Sequence, residues 1–317
     1  MGVARYQASF YGLRPNAGCV VSVLSEDQKC AVISALTEGV SIRATERLTG
    51  IHRDTIMRLG VKIGEGCAVL HGRLMVNLHC SRIELDEVWS FVKKKKRNVK
   101  AEDPDTVGDQ FIFMAMDSTG KAILSWLIGK RNTRNTITFC EDVRRRVLGN
   151  PEISTDGFAP YIRAVDEAFD GTASHGIVDK QEVVIAKGPD AGPSYYAKQV
   201  LVKVERTAIS GNPNHISTSY IERQNLTLRM SQRRLTRLSN GFSKKYENHC
   251  AAIALYAFHY NFCRVHESLR ITPAMQLGIT DHVWSVSELV NAALTGEIQG
   301  RADQVKREFR VVQGGKA

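Results

Sequence analysis

The sequence predicts an α/β fold preceded by an all-α segment, and three observations carry that expectation. Before residue 80 the apolar residues recur at helical spacing, broken by Gly39 and Gly50. At Ser81 the period changes to that of strands, and helix-like stretches then alternate with strand-like ones. The 317 residues are 43% hydrophobic and 24% charged, a balance that excludes a mini-protein, wholesale disorder and a coiled-coil rod.

The first element opens on Ser25-Glu26-Asp27-Gln28, a capping box, and carries Ala31, Val32, Ala35 and Leu36 inward before Gly39. A second helix follows Ser41, holds Ile42 and Leu48 and stops at Gly50, and a third starts near Arg53 with Ile56, Met57 and Leu59. Three short helices in this arrangement form a helix-turn-helix pattern over 25–80. His52, Arg53, Thr55 and Arg58 would then face the major groove of DNA; the other reading is a small helical bundle with a solvated basic face.

From Ser81 the pattern Ile83, Leu85, Val88 brackets Asp86 and Glu87 in a buried strand that ends at the run Lys93, Lys94, Lys95, Lys96, Arg97. Residues 111–116 and 122–128 flank Asp117-Ser118-Thr119-Gly120, a hairpin turn, so three consecutive antiparallel strands are expected. A helix over 136–148, a strand over 152–155 delivering Asp156-Gly157, and a helix over 160–169 complete an alternating series. The Gly- and Pro-rich stretch 170–214 reads as loop-rich, with short β-like runs at 181–186 and 199–209, and as an insertion that either contacts DNA or a partner or is a surface excursion. Helices are expected over 220–230 and about 243–262. The expected domains are an N-terminal extension over 1–24, the helical region over 25–80, an α/β domain over 81–280, and a C-terminal helix and tail over 281–317.

Forty-three basic residues against 33 acidic ones give a formal net charge of +10, which favours a polyanionic partner, nucleic acid first. No run approaches the ~18 apolar residues of a membrane span, and the N-terminal residues lack an apolar signal core, so no membrane and a cytoplasmic location are expected. The seven cysteines include no CxxC pair, so neither a disulfide framework nor zinc is expected.

Carboxylates in apolar or tightly punctuated surroundings need a cation or hydrogen bonds to compensate them. Asp86 in a strand, Asp156 at a strand end and Glu222 on the first turn of a helix are the three such positions, and carboxylates gathered this way can hold divalent cations that polarise a phosphodiester. Glu87 competes with Asp86, but strand alternation puts it on the opposite face. On the Glu222 helix, Asn225 and Arg229 share a face and point either at the metal and phosphate or at water. Between 223 and 245, seven basic residues (Arg223, Arg229, Arg233, Arg234, Arg237, Lys244 and Lys245) meet no acidic one, a phosphate-facing pattern with salt-sensitive binding.

The segments Leu85-Asp86-Glu87-Val88-Trp89-Ser90-Phe91-Val92, Ser154-Thr155-Asp156-Gly157-Phe158-Ala159-Pro160-Tyr161 and Ser219-Tyr220-Ile221-Glu222-Arg223-Gln224-Asn225-Leu226-Thr227-Leu228-Arg229 resemble the three catalytic blocks of the IS1-type insertion-sequence DDE transposases. The resemblance spans about residues 25–275 and extends through Arg233-Arg234-Leu235-Thr236-Arg237 and Gly241-Phe242-Ser243-Lys244. It implies an RNase H-like core, a mixed sheet flanked by helices, and a triad of Asp86, Asp156 and Glu222. It implies Mg2+, with Mn2+ as substitute, cleavage at element ends and strand transfer into double-stranded DNA by a nucleoid-associated homo-oligomer. Two departures stand out: no zinc ribbon precedes the helices, and the 170–214 stretch is longer than a compact core needs. A non-catalytic DNA-binding regulator and a nuclease that cleaves without joining are the rival functions.

Overall fold

The computed structural model describes residues 24–184, 200–236 and 239–298; residues 1–23 of the expected extension, Arg237 and the tail from 299 lie outside that range. Helix α1 (Glu26–Thr37) starts at the expected capping box, in which Ser25 Oγ accepts from the Gln28 N–H at 3.2 Å and Gln28 Oε1 accepts from the Ser25 N–H at 3.0 Å. Ser41 caps α2 (Ile42–Thr49), and Gly50 ends it at φ 71°, a left-handed conformation that glycine adopts without Cβ strain.

Helix α3 (Arg53–Leu74) runs 22 residues, far beyond the short helix expected. Its second half is a core element, with Ile63, Cys67, Leu70 and Leu74 buried, and it packs on α7 (Tyr246–Phe262) and α9 (Val286–Thr295). Of the glycines within α3, two are packing sites. A Cβ on Gly64 would stand 2.2 Å from the Ala251 carbonyl oxygen of α7, and one on Gly66 2.1 Å from that of Ala293 in α9. Glycine here lets two helix backbones approach α3 from different sides. The N-terminal helices and the sheet consequently share one apolar cluster, which runs from Val32 and Ile56 through Leu70 to Phe113 and Phe139.

Strands β2 (Arg82–Val92), β3 (Gly108–Asp117) and β4 (Ile123–Gly129) form the expected antiparallel meander. After α4 (Thr133–Arg146), β6 (Glu152–Asp156) pairs parallel to β2, and after α5 (Pro160–Ala168), β7 (Ser174–Val184) pairs parallel to β6. Strand β8 (Val200–Ser210) closes the order β4-β3-β2-β6-β7-β8 antiparallel to β7. A separate two-stranded pair joins β1 (Leu78–His79) to β5 (Val147–Leu148).

Among the described residues of 170–214, the antiparallel pair β7 and β8 is added to the sheet. Its glycines concealed this: Gly176 lies within β7, where Ile216 packs so closely that a Cβ would meet it at 2.5 Å.

The result is a mixed α/β architecture, a mixed sheet flanked by helices. Phe139, Val143, Tyr161 and Val165 of α4 and α5 belong to the cluster that contains Ile83 and Leu85. Ile221 and Leu228 of α6 (Ser219–Ser231), with Ile253 and Ala257 of α7, cover Val88, Ile112 and Met114. Buried Asn261 of α7 satisfies strand β4, accepting from the Ile123 N–H at 3.0 Å and donating to its carbonyl at 2.7 Å. The short helix α8 (Pro273–Gln276) leads to α9, whose Ser285–Glu288 capping box secures its start. No helix among the described residues is long and apolar enough to cross a membrane.

Candidate metal centre

Alternation along β2 places Glu84 and Asp86 on the α6 face and Glu87 on the other. The recorded pairing of β6 with β2 ends at Glu84↔Ser154, and β6 itself ends at Asp156. Beyond that point β2 has an open edge beside the end of β6. Carboxylates from both faces can converge there, and they do: Asp86, Glu87 and Asp156 each present an oxygen, all within 4.8 Å of one another. Glu87 lies on the opposite face, as alternation predicts, but at this edge its longer side chain still reaches the other two acids.

Each carboxylate is held. Asp86 accepts from the Glu87 N–H at 2.8 Å and from Asn225 Nδ2 at 2.7 Å. Asp156 accepts from the Phe158 N–H at 3.0 Å in the turn before α5. Arg131, in the loop after β4, reaches both remaining acids, with Nε 2.9 Å from Glu87 Oε1 and Nη2 3.4 Å from Asp156 Oδ2. Its guanidinium lies 3.9 Å from the Phe158 ring centroid. Arg131 is a site residue the sequence reasoning missed; a basic residue just after a strand carries no signal of its own.

Burial and mutual repulsion govern the electrostatics. Burial first, then the Asp156 and Glu222 charges, push Asp86 up to about 6 against the Glu87 and Asn225 donors. Glu87, with a side chain only 2% exposed, is pushed up to about 7 by burial and by Asp156, with Arg131 opposing. Asp156 is raised by burial and by Glu222, against its Phe158 bond and Arg131. Three acids that resist ionising together are a set that a multivalent cation would relieve.

Glu222, the third predicted acid, is near enough for its charge to act on Asp86 and Asp156, but its carboxylate turns elsewhere. It accepts from Thr218 Oγ1 at 2.6 Å and pairs with Lys180 of β7. Helix α6 is seated by a residue the sequence reading passed over. Glu84, 2% exposed, accepts through Oε2 from the Tyr220 and Ile221 N–H groups, each at 2.9 Å, and so caps the helix across the sheet. Burial first, then Glu222, push Glu84 up to about 7 against those two bonds.

The donor set fits a hard divalent cation. Its members are carboxylate oxygens, and Asn225 adds a buried Oδ1 with no hydrogen-bond partner among the described residues. Arg131 and Lys180 supply the compensating positive charge in this arrangement.

The predicted basic residues fall on several surfaces. Lys93, Lys95 and Lys96 are exposed at the end of β2, and Lys94 is half-buried in an ion pair with Asp103 at 2.5 Å. Arg229 is half-buried on α6 and Arg233 is exposed, while Arg234 donates to Ser243 Oγ at 3.3 Å. Lys244 is exposed, its Nζ 3.2 Å from the Phe242 ring centroid. His52, Arg53 and Arg58 are exposed and Thr55 half-buried at the start of α3, where His52 Nδ1 accepts from the Asp54 N–H at 3.3 Å.

Comparison with known proteins finds no matching protein-family model and no matching curated protein. Among solved structures the chain is similar to a piggyBac transposase in a synaptic complex with hairpin DNA, determined by cryo-electron microscopy. The identity is 11% and the TM-score 0.37, over 99% of this chain and 82% of that one.

Proposed function

We propose that this chain is a DDE-type DNA transposase of RNase H-like architecture that cleaves DNA at element ends and joins it to a target. The convergence of Asp86 and Glu87 in the middle of β2 with Asp156 at the end of β6, within 4.8 Å in a mixed sheet, is the observation that carries the reading. Asp86 and Asp156 would hold divalent metal, Mg2+ or Mn2+, with Glu222 completing the set and Glu87 as an additional or alternative ligand. When bound, the metal polarises a phosphodiester and favours the attacking and leaving oxygens.

The chain's own groups prepare that chemistry. Asn225 orients Asp86 through its 2.7 Å bond, and Glu84 fixes the first turn of α6, which carries Glu222. Arg131 and Lys180 hold the acids in place by charge, a role that a bound cation would take over. Lys93 to Lys96, Arg233 and Lys244 offer phosphate contacts, and the His52 to Arg58 surface of α3, in a helix-turn-helix, serves end recognition. Joining two ends calls for a homo-oligomer on DNA.

The test is nicking of supercoiled plasmid with Mg2+ or Mn2+, beside EDTA, Asp86→Asn and Glu222→Gln. Metal-dependent nicking lost in both variants is expected, with strand-transfer products on end-bearing DNA. Binding without nicking would favour a regulator, and nicking without transfer a nuclease.

A further inference from the structure

Past Glu87 the same face of β2 carries two aromatic rings. Trp89 and Phe91 follow at two-residue intervals, about 7 Å per step, so a line of side chains leads away from the acid cluster. The Trp89 and Phe91 ring centroids are 5.7 Å apart, and Phe242 continues the line 4.7 Å beyond Phe91. Phe242 is carried there by backbone: Ser243 bridges to Val92, and its carbonyl accepts from the Lys93 N–H at 2.8 Å. Buried His249 sits between Ser90 Oγ at 3.1 Å and Ser243 Oγ at 2.9 Å, pinning that loop to the strand.

Lysines border the rings. Lys95 Nζ lies 5.9 Å from the Phe91 centroid and Lys244 Nζ 3.2 Å from that of Phe242. Trp89 is 38% exposed, whereas Trp126 and Trp284 are each 4% exposed. Rings in file, with lysine ammoniums over two of them, match the two repeating parts of a single strand: bases with open π-faces, and phosphates. A duplex hides its base faces in the stack and offers the rings nothing.

We propose that Trp89, Phe91 and Phe242 form a stacking platform for unpaired bases of single-stranded DNA, with Lys95 and Lys244 on its phosphates. Binding rests on the platform alone; that the bound strand is the one cut rests on the function proposed above.

Because the other two tryptophans are buried, contact quenching of the full chain's tryptophan emission by a bound strand reports on Trp89, over the constant emission of Trp126 and Trp284. In EDTA, a short oligothymidylate should quench the emission, and Trp89→Phe should remove that quench while keeping affinity within a few-fold. Trp89→Ala should weaken binding ~5–150-fold, the equivalent of one lost stacking contact. Lys95→Ala with Lys244→Ala should lower the salt slope by ~0.7 per contact.

Unchanged fluorescence, an unaffected Trp89→Ala affinity, equal quenching by a blunt duplex, or tighter binding to oligouridylate than to oligothymidylate would each overturn the platform. Plasmid nicking by the same preparation separates the two proposals. Nicking without quenching removes the platform and leaves the enzyme; quenching without nicking leaves the platform and removes the enzyme.

Discussion

Asn225 and Asp86 meet at 2.7 Å, amide Nδ2 to carboxylate Oδ2, and this bond ties α6 to the middle of β2 across 139 positions of sequence. The amide is committed on one side and, among the described residues, unpartnered on the other. A buried orphan acceptor is uncommon in folded proteins, and its place beside three carboxylates gives it a use.

Asn225→Ala should reduce metal-dependent nicking ~10–100-fold, as losing an outer-shell partner does, with the far-UV circular dichroism unchanged. Asn225→Asp should raise the metal concentration needed for half-maximal nicking less than alanine does, because it restores an oxygen. Equal activity in all three proteins would remove Asn225 from the site.

Glu84 tests how α6 is seated. Glu84→Ala strips two charge-assisted bonds from Tyr220 and Ile221 and should cost ~1–3 kcal/mol in denaturant unfolding. Glu84→Gln keeps an accepting oxygen and should recover most of that loss. If alanine and glutamine behave alike, the cap contributes through its charge and not its hydrogen bonds.

The acid cluster should leave a pH signature in the metal-free chain. Asp86 at about 6 and Glu87 at about 7 stand above their unfolded values of ~3.9 and ~4.3. The folded chain therefore holds protons that the unfolded chain has lost, and this contribution to stability falls as pH rises from about 4 to 7. Buried His175, lowered to about 4, and His249, lowered to about 3, act in the opposite sense. Below about 6.5 the unfolded chain takes up protons they refuse, so their contribution falls as pH drops.

Thermal melts in EDTA separate the two effects. Asp86→Asn with Glu87→Gln should be more stable than the parent at pH 8, and its melting temperature should fall less between pH 4 and 8 than the parent's, with Glu84, pushed up to about 7, and the raised Asp156 still contributing. Superimposable pH curves for the two proteins would refute the assignment of raised carboxylates.

Gly64 and Gly66 make a packing prediction independent of function. Gly64→Ala or Gly66→Ala drives a methyl into the backbone of α7 or α9, so each should destabilise by ~1–3 kcal/mol or more despite alanine's better helix propensity. Gly60→Ala meets only the Leu36 side chain at 3.2 Å and should cost less. A stabilising alanine at 64 would contradict the close approach of α3 to α7.

By itself the sequence determined whatever depends on neighbours along the chain. The Ser25 capping box, the Gly50 stop, the meander around Asp117-Ser118-Thr119-Gly120 and the strand ending at Asp156 are all where local spacing and turn chemistry put them. Asp86 and Asp156 were legible as site candidates because carboxylates in apolar or punctuated strands need a reason to be there. Tertiary structure decided the rest. The packing roles of Gly64 and Gly66 appear only once α7 and α9 lie on them, and the run after 170, loop-rich with short β-like runs in the sequence, holds the long strands β7 and β8 because β6 offers β7 an edge. Glu87 joined Asp86 and Asp156 because the pairing of β6 with β2 ends at Glu84↔Ser154, before the edge reaches Asp86, and Arg131 arrived from the loop after β4 to neutralise them. Strand alternation is a local rule, whereas convergence at a sheet edge depends on which strand ends beside which, and only the folded chain sets that.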